Sequence, residues 1–543
     1  TISGNSASTH GAGLYGTGSK STMLVVNSIV ATNRADQNGG GVYSLIGTLT
    51  ITNSTISGNL ANLNGGGVYL ASGTTTLNNT IVAGNQSPNG PDIRHSSGTL
   101  AGSHNLIGNG TGQSTLVNGV NGNQVGTASS PIDPRLSDST PLDDGRWGYY
   151  LLPGSPAIDA GNNALAVDAA GQPLTEDFHG NPRIQNGTVD IGAIEGATTP
   201  PAAQVYVVTS FEDVIDAEDG ELTFREAFEA AQRNQLVGDA PAGSFGEKDV
   251  IRFADGLSGT ILVNAGELVI FSRLRIEGPG AEILAFDADG NNRVFLIEPS
   301  ASVDLSGITV SGGSADLGGG VYNLGQLSII GSIISGNSAS SDGGGICSPW
   351  SYSSISIVNS TIADNASSRG GGVFSAGALM VENSTISGNS ANETSGAGGG
   401  VYSTNTLTVI NSTISNNSGG QYGGGIYSSN SSTTTSIFNS TISGNTAVMH
   451  GGGIYNNSIL TVTDSTISQN ASTASSALGG GIANFAAATI ISSTISGNSV
   501  GRDGAGVYSS GSSSTLTITN STVAVNSANN LGGGVFLGTS ASP

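Results

Sequence analysis

The sequence predicts an all-β solenoid, in which short parallel strands wind into stacked coils. Two recurring segments support this prediction. The first has the form Ser-Thr-Ile-Ser-X-Asn and occurs, for example, at residues 412–417, 440–445 and 493–498. The second has the form Gly-Gly-Gly-aliphatic-Tyr and lies between copies of the first. The aligned isoleucines from Ile334 to Ile495 are 24 to 28 residues apart, a period typical of stacked supersecondary units rather than of an ordinary globular core.

One repeat, residues 398–417, contains enough bends to form one coil. Leu407 and Val409 alternate with threonines, which is the period of a half-buried strand. The alternation breaks at Asn411, because the next aliphatic residue, Ile414, lies five residues past Val409. Asparagine tolerates the left-handed backbone that such a bend requires. With another short strand after the glycines, the repeat predicts three strands and three bends, the pattern of one coil of a parallel β-helix.

Asparagines recur at one corner of successive coils, and we expect them to form a ladder. Stacked side-chain amides at the ~4.8 Å spacing of neighbouring strands can hydrogen-bond from coil to coil. The glycines leave room for a tight corner, because no Cβ atom has to fit there. The expected members of this Asn ladder are Asn337, Asn365, Asn389, Asn417, Asn445, Asn470, Asn498 and Asn526. A second corner carries Asn359, Asn383, Asn411, Asn439, Asp464 and Asn520.

An aromatic residue follows the aliphatic residue of most glycine segments. The aliphatic residue has to point inward, so the period of two turns its aromatic neighbour outward. Rings at coil spacing form a column, which either stacks on itself and stiffens the solenoid or serves as a platform for sugars or another chain. The members are Tyr322, Phe374, Tyr402, Tyr427, Tyr455, Tyr508 and Phe536, and Cys347 and Ala483 occupy the same position in two coils.

The repeat is interrupted in the middle of the chain, which divides the sequence into five segments. Coils of a first β-helix fill residues 1–98, and residues 99–196 lose the repeat and gain proline, aspartate and tryptophan. Residues 197–204 are expected to form a short, stiff, proline-containing linker. Residues 205–305 hold a helix and the first coils of a new stack, and residues 306–543 hold about nine coils of a second β-helix.

The segment that opens the second stack contains one short helix. Thr223 and Glu226 have the spacing of a capping box, and Phe224 and Phe228 lie on the apolar face of the helix. An open coil end is a sheet edge that recruits other chains. We therefore expect this helix to cover the first coil of the second stack, and residues 99–196 to close the last coil of the first stack.

Composition and charge exclude several classes of protein. The formal net charge is −23, which argues against nucleic acid as a partner because its recognition requires basic patches. No apolar run approaches the ~18 residues of a membrane span. Cys347 is the only cysteine, so a disulfide within the chain is impossible. The chain opens inside a repeat, at Thr1, and we expect it to be a fragment of a longer protein.

The charged residues form no recognisable catalytic pattern. Residues 306–543 contain seven acidic residues and two arginines, at different phases of the repeat, whereas glycoside cleavage requires a carboxylate pair at a defined separation. We therefore predict no enzyme activity and no required cofactor. Calcium is conceivable at acidic residues of the interrupting segments, but Asp177 and Asp190 could instead pair with Arg183 and cap turns, and the acidic loop at 213–221 misses the spacing of an EF-hand. The calcium candidates are Asp177, Asp190, Glu195, Asp216 and Asp219.

Two parts of the interruption resemble known domains of bacterial proteins. Residues 220–231, which read GELTFREAFEAA, resemble the CSLREA domain, although Leu222 replaces its cysteine. Residues 150–161 (YLLPGSPAIDAG), 177–183 (DFHGNPR) and 190–195 (DIGAIE) resemble the choice-of-anchor Q domain. The coils resemble right-handed parallel β-helix repeats, including those of polymorphic outer-membrane proteins and adhesins. These resemblances imply a secreted or surface-displayed bacterial protein with a start domain and an end domain, and they transfer no catalytic residue.

From these observations we expect an extracellular structural or adhesive β-solenoid, part of a longer modular surface protein or fibre that assembles end to end. Its partners would be further copies or a covalent continuation of the chain, and glycans or the surface of a host or neighbouring cell. The alternative is a β-helix that binds or cleaves polysaccharide. A third class binds ice or mineral through a flat threonine array, but pairs such as Thr406 and Thr408 vary between coils. The regularity of each face distinguishes these classes.

Overall fold

Parallel strands wind into right-handed β-helical coils in both units of the chain, which confirms the predicted all-β solenoid. The computed structural model describes residues 1–138, 140–141, 147–212, 214–216, 219–391, 396–511 and 514–538. The first unit consists of Thr1–Gln204, Arg233–Gln235 and Ala242–Lys248, and the second of Val205–Gln232, Leu236–Pro241 and Asp249–Pro543. A complete repeat coil contains four strands, which we call faces 1 to 4 in chain order, rather than the three strands predicted.

In the second unit each face is a continuous parallel sheet, and faces 1 and 2 meet at the left-handed asparagine corner. Face 1 contains Val205–Val208, Asp249–Phe253, Arg273–Glu277, Ser302–Ser306, Gln326–Ile330, Ser354–Val358, Ala378–Glu382, Leu407–Ile410, Thr434–Phe438, Ile459–Thr463, Ala487–Ile491 and Thr515–Thr519. Face 2 contains Gly259–Leu262, Leu284–Asp287, Thr309–Ser311, Ile333–Ser335, Thr361–Ala363, Thr385–Ser387, Thr413–Ser415, Thr441–Ser443, Thr466–Ser468, Thr494–Ser496 and Thr522–Ala524.

The other two faces of the second unit flank the glycine runs. Face 3, the narrow additional sheet, contains Ser314–Leu317, Ser338–Asp342, Ala366–Ser367, Ser390–Ala391, Ser418–Gly419, Thr446–Ala447, Ala471–Ser472, Ser499–Val500 and Ser527–Ala528. Face 4 contains Leu268–Ile270, Phe295–Ile297, Val321–Asn323, Ile346–Ser348, Val373–Ser375, Val401–Ser403, Ile426–Ser428, Ile454–Asn456, Ile482–Asn484, Val507–Ser509 and Val535–Leu537.

The first unit repeats the same four faces over fewer coils. Face 1 contains Thr22–Val26, Thr48–Thr52, Thr74–Asn78 and Thr99–Ser103, and face 2 contains Ile2–Ser3, Ile29–Ala31, Thr55–Ser57, Ile81–Val82, Leu106–Ile107 and Gln124–Val125. Face 3 contains Ser6–Ala7, Arg34–Ala35 and Leu60–Ala61, and face 4 contains Leu14–Gly16, Val42–Ser44, Val68–Leu70 and Ile93–His95. An antiparallel pair, Thr140–Pro141 with Trp147–Gly148, and a 3-10 turn, Asn163–Leu165, follow.

Apolar side chains from all coils of the second unit meet in one core. Leu407 and Ile414 point inward and are fully buried, while the corner between them turns at Asn411, whose φ is +49°. Strand register stacks like on like, since Ile414 pairs with Ile386 on one side and with Ile442 on the other. Each coil therefore packs the same side chains against its neighbours, which is why the sequence repeats.

The recurring glycines serve two purposes, as residues 398–400 illustrate. Gly398 has a φ of +68°, a left-handed conformation that residues with a Cβ atom rarely adopt. A Cβ atom on Gly400 would lie 2.7 Å from the carbonyl oxygen of Gly425 and 3.0 Å from Nδ2 of Asn417. Glycine therefore permits both the tight turn and the close approach of neighbouring coils beside the Asn ladder.

The predicted helix spans Phe224–Arg233 and begins with the predicted capping box. The N–H of Glu226 donates to Oγ1 of Thr223 at 3.2 Å, and the N–H of Thr223 donates to Oε2 of Glu226 at 3.0 Å. The ring of Phe224 lies 4.9 Å from that of Phe286, between centroids, within the same cluster as the inward residues of the first coils. The helix thus packs on the interior of the first coils of the second unit.

The coils of the first unit extend into residues 99–196, the segment that we expected to lie beyond them and to close the last coil. Strands of faces 1 and 2 continue past residue 98 as far as Gln124–Val125, and Leu116 is buried within the coil core. The described residues of 132–194, which we call the side block, pack along the outer side of face 2. The reason is that outward positions of this face are apolar in the first unit, at Ile29, Ile81 and Leu106.

Candidate functional site

The Asn ladder runs through the second unit as a continuous chain of hydrogen bonds. The backbone N–H and the side-chain amide of Asn417 both donate to Oδ1 of Asn445, at 2.9 and 3.0 Å, and the same amide donates to the carbonyl oxygen of Ile386 at 2.9 Å. This pattern joins, in order, Asn337, Asn365, Asn389, Asn417, Asn445, Asn470, Asn498 and Asn526. The members from Asn337 to Asn498 are at most 1% exposed, so they are structural groups rather than ligand contacts.

A shorter ladder of the same kind, which the sequence analysis missed, crosses the first unit. Asn59 donates to Oδ1 of Asn85 at 2.9 Å. The last acceptor is Asp92, whose Oδ1 accepts from N and Nδ2 of Asn85 at 3.0 Å each, and whose Oδ2 accepts from the N–H of Asn109 at 2.6 Å. Asp92 follows Asn85 by only seven residues, outside the repeat period, so the pattern carries no signal for it.

The buried carboxyl group of Asp92 makes the stability of the first unit depend on pH. Burial raises the pKa of Asp92 to about 6, and its hydrogen bonds oppose this rise only in part. The group therefore stabilises the fold below about pH 4, and this contribution is lost as the pH rises through about 6. Relative to wild type, we expect the free energy of unfolding of Asp92→Asn to increase by about 2.5 kcal/mol between pH 4 and 7. Urea unfolding at both pH values measures this difference, and a constant difference would contradict it.

A column of serines, which was also not predicted, precedes the strands of face 2, and its members are buried except for Ser521 at the end. The N–H of Ser412 donates to Oγ of Ser440 at 3.1 Å, and Oγ of Ser412 donates to the carbonyl oxygen of Ile410 at 2.7 Å. This Ser ladder comprises Ser332, Ser360, Ser384, Ser412, Ser440, Ser465, Ser493 and Ser521. The serine that recurs before each Thr-Ile-Ser is the signal that could have revealed it.

The aromatic column lies on face 4, where its rings stack on one another. Centroid distances from Tyr402 are 5.0 Å to Phe374 and 4.7 Å to Tyr427, and Tyr427 lies 4.8 Å from Tyr455, with ring planes within 17° of each other. The faces of these rings therefore contact neighbouring rings, and the ring edges and tyrosine hydroxyl groups are the parts exposed to solvent. Tyr322 and Phe374 are buried. The partly buried members are Tyr402, Tyr427, Tyr455, Tyr508 and Phe536.

Two coils lack a ring at this position, and other side chains fill the gaps. Beside Ala483, the ring of Phe485 lies 5.1 Å from that of Tyr455 and 5.9 Å from that of Tyr508, between centroids. Cys347 is fully buried among rings of the column. Burial raises the pKa of its thiol, which keeps it protonated and unreactive. The column is thus a packed structural feature even where the repeat is broken.

Two arginines of the second unit lie over this column. The guanidinium carbon of Arg369 is 5.5 Å from the ring centroid of Tyr402, and its Nε and Nη2 donate to the carboxylate of Asp342 at 2.7 and 2.8 Å. Arg293 lies over another ring of the column and donates to the carbonyl oxygen of Leu317 at 2.8 Å. Both cations have partners within the chain, which weakens any attraction for an anionic ligand.

Three of the calcium candidates, Asp177, Asp190 and Glu195, lie close together in the first unit, where each carboxylate accepts at least one hydrogen bond from a backbone amide. Asp190 accepts from the N–H of Asp159 at 2.6 Å and from the N–H of Gly196 at 2.7 Å. Asp177 accepts from the N–H of Glu195 at 2.8 Å. Carboxylates held in this way cap turns, which is the alternative to a calcium site at these residues.

Arg183 lies at the centre of this cluster and is fully buried. Its Nη1 is 3.0 Å from Oε1 of Glu195, and its Nη2 donates to the carbonyl oxygen of Gly192 at 2.7 Å and to Oδ1 of Asn53 at 3.1 Å. Burial raises the pKa of Glu195 and lowers the pKa of Arg183, and the attraction between the two groups opposes both shifts. The direct contact favours the charged pair, which fastens the side block to the coils.

The other two calcium candidates lie near the helix of the second unit. The N–H of Asp216 donates to Oε1 of Glu226 at 3.0 Å, and Oδ1 of Asp219 accepts from the N–H of Glu221 at 2.8 Å. Across the residues that the structure describes, no three His, Cys, Asp or Glu side chains are grouped so that they could hold a metal ion. Of these two candidates, the carboxylate of Asp219 thus accepts a hydrogen bond from the chain itself.

Calcium is not expected to change the stability of the protein, because both carboxylate oxygens of Asp177 and of Asp190 already accept hydrogen bonds from backbone amides and no three described His, Cys, Asp or Glu side chains are grouped to hold a metal ion. Calorimetric melting with millimolar calcium and with EDTA should give the same melting temperature. Magnesium at the same ionic strength serves as the control for screening. A rise in melting temperature that calcium produces in wild type, but not in Asp190→Asn, would contradict this prediction.

The comparison with known proteins agrees with the fold of the second unit. Residues 293–459 match the family model described as right handed beta helix region. No curated protein and no solved structure gave a match. Along the described ranges, no helix has the length and apolar character needed to cross a membrane. The match and the geometry together define a right-handed β-helix region with polar and aromatic ladders along its coils.

Proposed function

We propose that this protein is an extracellular structural solenoid that stiffens an adhesive surface protein or filament. The observation that carries the proposal is the Asn ladder, because it joins every coil from Asn337 to Asn526 through hydrogen bonds. The Ser ladder and the stacked rings add cohesion in the same direction. Cohesion between successive coils is what makes a solenoid stable along its axis.

The location and the adhesive role can be tested on cells of the source. The resemblance to domains of bacterial surface proteins supports an extracellular location. Antibodies against the chain are expected to label intact cells, and beads coated with the folded chain are expected to attach to neighbouring cells. Beads coated with the heat-denatured chain are the matched control. Labelling that requires permeabilised cells would contradict the location, and equal attachment of both kinds of bead would contradict the adhesive role.

Further copies of the chain are the partners that this proposal favours. Coils pair through backbone hydrogen bonds between parallel strands, and a second solenoid offers the same groups. Sedimentation velocity over a hundredfold range of concentration is expected to show species larger than the monomer. A strictly monomeric chain at every concentration would contradict self-association, while the labelling experiment would still decide the extracellular location.

A β-helix that binds or cleaves polysaccharide is the second candidate, and the aromatic column is the feature that favours it. We expect no retardation of the protein in gels that contain pectin, alginate or xylan, and no product from these polymers. The reason is that the ring faces stack on one another and Arg369 is paired with Asp342. Retardation of wild type that Tyr427→Ala abolishes, or product formation that an acidic-residue variant abolishes, would contradict this prediction.

A further inference from the structure

Face 2 of the second unit presents a regular array of hydroxyl groups in two rows. In five consecutive coils, the outward residues of the strand are a threonine and a serine, on either side of a buried isoleucine. The pairs are Thr385 and Ser387, Thr413 and Ser415, Thr441 and Ser443, Thr466 and Ser468, and Thr494 and Ser496. Strand register places threonine beside threonine and serine beside serine throughout. We call these ten residues the hydroxyl array.

The chain makes no use of these hydroxyl groups within its described parts. None of the ten donates or accepts a side-chain hydrogen bond to another described residue, and all ten are partly exposed. No residue of the array carries a charge. In the first unit, the same face has apolar outward residues such as Ile29 and Ile81, and the side block covers them. In the second unit, the array is a polar surface that is available to an external ligand.

The other faces lack this regularity. On face 1, the central outward residue changes from Ser356 to Met380 and Thr408 in consecutive coils. On face 4, the column of aromatic residues is interrupted at Cys347 and at Ala483. The array on face 2 is thus the part of the described surface where neighbouring coils present the same two side chains five times in succession.

Two buried ladders hold the array rigidly at both ends of each strand. For the pair Thr413 and Ser415, the Ser ladder residue Ser412 comes immediately before the strand, and the Asn ladder residue Asn417 follows it by two positions. Pairs recur every ~4.8 Å along the solenoid, and the two residues of one pair are ~6.6 Å apart along the strand. Because the fold sets these positions, a ligand with matching repeats binds without the entropy cost of ordering the strands that carry the hydroxyl groups.

We propose that the hydroxyl array binds ice by ordering a layer of water on its surface. Fixed hydroxyl groups can share hydrogen bonds with water that are nearly as favourable as direct bonds, and the threonine methyl groups restrict the water beside them. The two repeat distances are close to those between oxygen atoms in hexagonal ice, so one water layer can match both surfaces. The array has neither a charge for mineral ions nor a ring face for sugars. This activity is separate from the proposed structural role.

The test measures how much of the full chain a slowly growing ice crystal incorporates. Dye coupled to Lys20 or Lys248, the two lysines, labels the chain outside the array. Thr441→Tyr and Thr466→Tyr each place a bulky ring within the array and are expected to lower the incorporated fraction by about tenfold. The matched control is Thr461→Tyr, an outward residue of face 1 in the same coil as Thr466, which is expected to leave the fraction unchanged.

Each outcome decides the proposal. Incorporation of wild type and Thr461→Tyr above the level of serum albumin, with loss in both array variants, supports it. Incorporation of wild type at the albumin level, or equal incorporation of array variants and control, overturns it. Binding to crystalline cellulose that the array variants lose, without binding to ice, also overturns it. Melting curves check the fold of each variant. Thr441→Val removes one hydroxyl group without adding bulk, so it is expected to fold as wild type and to lower the incorporated fraction less than Thr441→Tyr does.

Discussion

Replacing Gly371 with alanine is expected to lower the free energy of unfolding of the second unit by about 3 kcal/mol or more. A Cβ atom at this position would lie 2.5 Å from the carbonyl oxygen of Ser390 and 2.6 Å from that of Gly399. Both are backbone atoms of the next coil, which cannot turn aside as a flexible side chain can. The two coils would have to separate, which weakens the hydrogen bond from the N–H of Gly371 to the carbonyl oxygen of Gly398.

The matched control for this variant is Gly336→Ala, and urea unfolding followed by circular dichroism compares the two. Gly336 has a φ of +67°, and a Cβ atom there would have no neighbour within 4 Å. Alanine at this position therefore meets backbone strain alone, which costs about 1 kcal/mol. Hydrogen exchange should show loss of amide protection beside Gly371 but not beside Gly336. Equal stability of the two variants would contradict the close approach of neighbouring coils.

Asn417→Ala is expected to destabilise the second unit by about 3 kcal/mol through loss of one member of the Asn ladder. Oδ1 of Asn417 accepts from the backbone N–H and from Nδ2 of Asn389, at 3.0 Å each. Without it, the amide groups of Asn389 remain buried and lose this partner, and the carbonyl oxygen of Ile386 loses its donor from Asn417. The cost of such unsatisfied buried groups exceeds that of the lost bonds themselves. Thermal melting and urea unfolding measure this loss.

Asn411→Gly is the control, because it removes an asparagine that is outside the buried Asn ladder and whose Oδ1 accepts only an exposed hydrogen bond, from Nδ2 of Asn439 at 2.7 Å. Asn411 is exposed, and glycine readily adopts its φ of +49°. We expect this variant to remain within about 0.5 kcal/mol of wild type. Because Asn417 and Asn445 share hydrogen bonds, the double variant of these two should lose less stability than the sum of the single variants. If Asn417→Ala melted like Asn411→Gly, the ladder would contribute nothing to stability.

The repeat was sufficient to predict the coils because every coil buries the same side chains in the same way. Leu407 and Ile414 both point inward because the chain turns at Asn411 between them. This follows from the geometry of a strand and of a left-handed corner, which are local properties of the chain. The fourth strand, for example Ser418–Gly419, was missed because two residues are too few to show a period. Asp92 was missed because it ends the ladder of the first unit outside the repeat.

The sequence by itself determined the solenoid, the direction in which its repeating side chains point and the positions of the ladder asparagines, since all of these depend on a short period. Tertiary structure alone decided that the rings stack face to face and that the side block lies along face 2. The contact between Ala193 and Thr55, for example, joins residues 138 positions apart. Such contacts depend on the shape and polarity of two folded surfaces, and no local period in the chain records them.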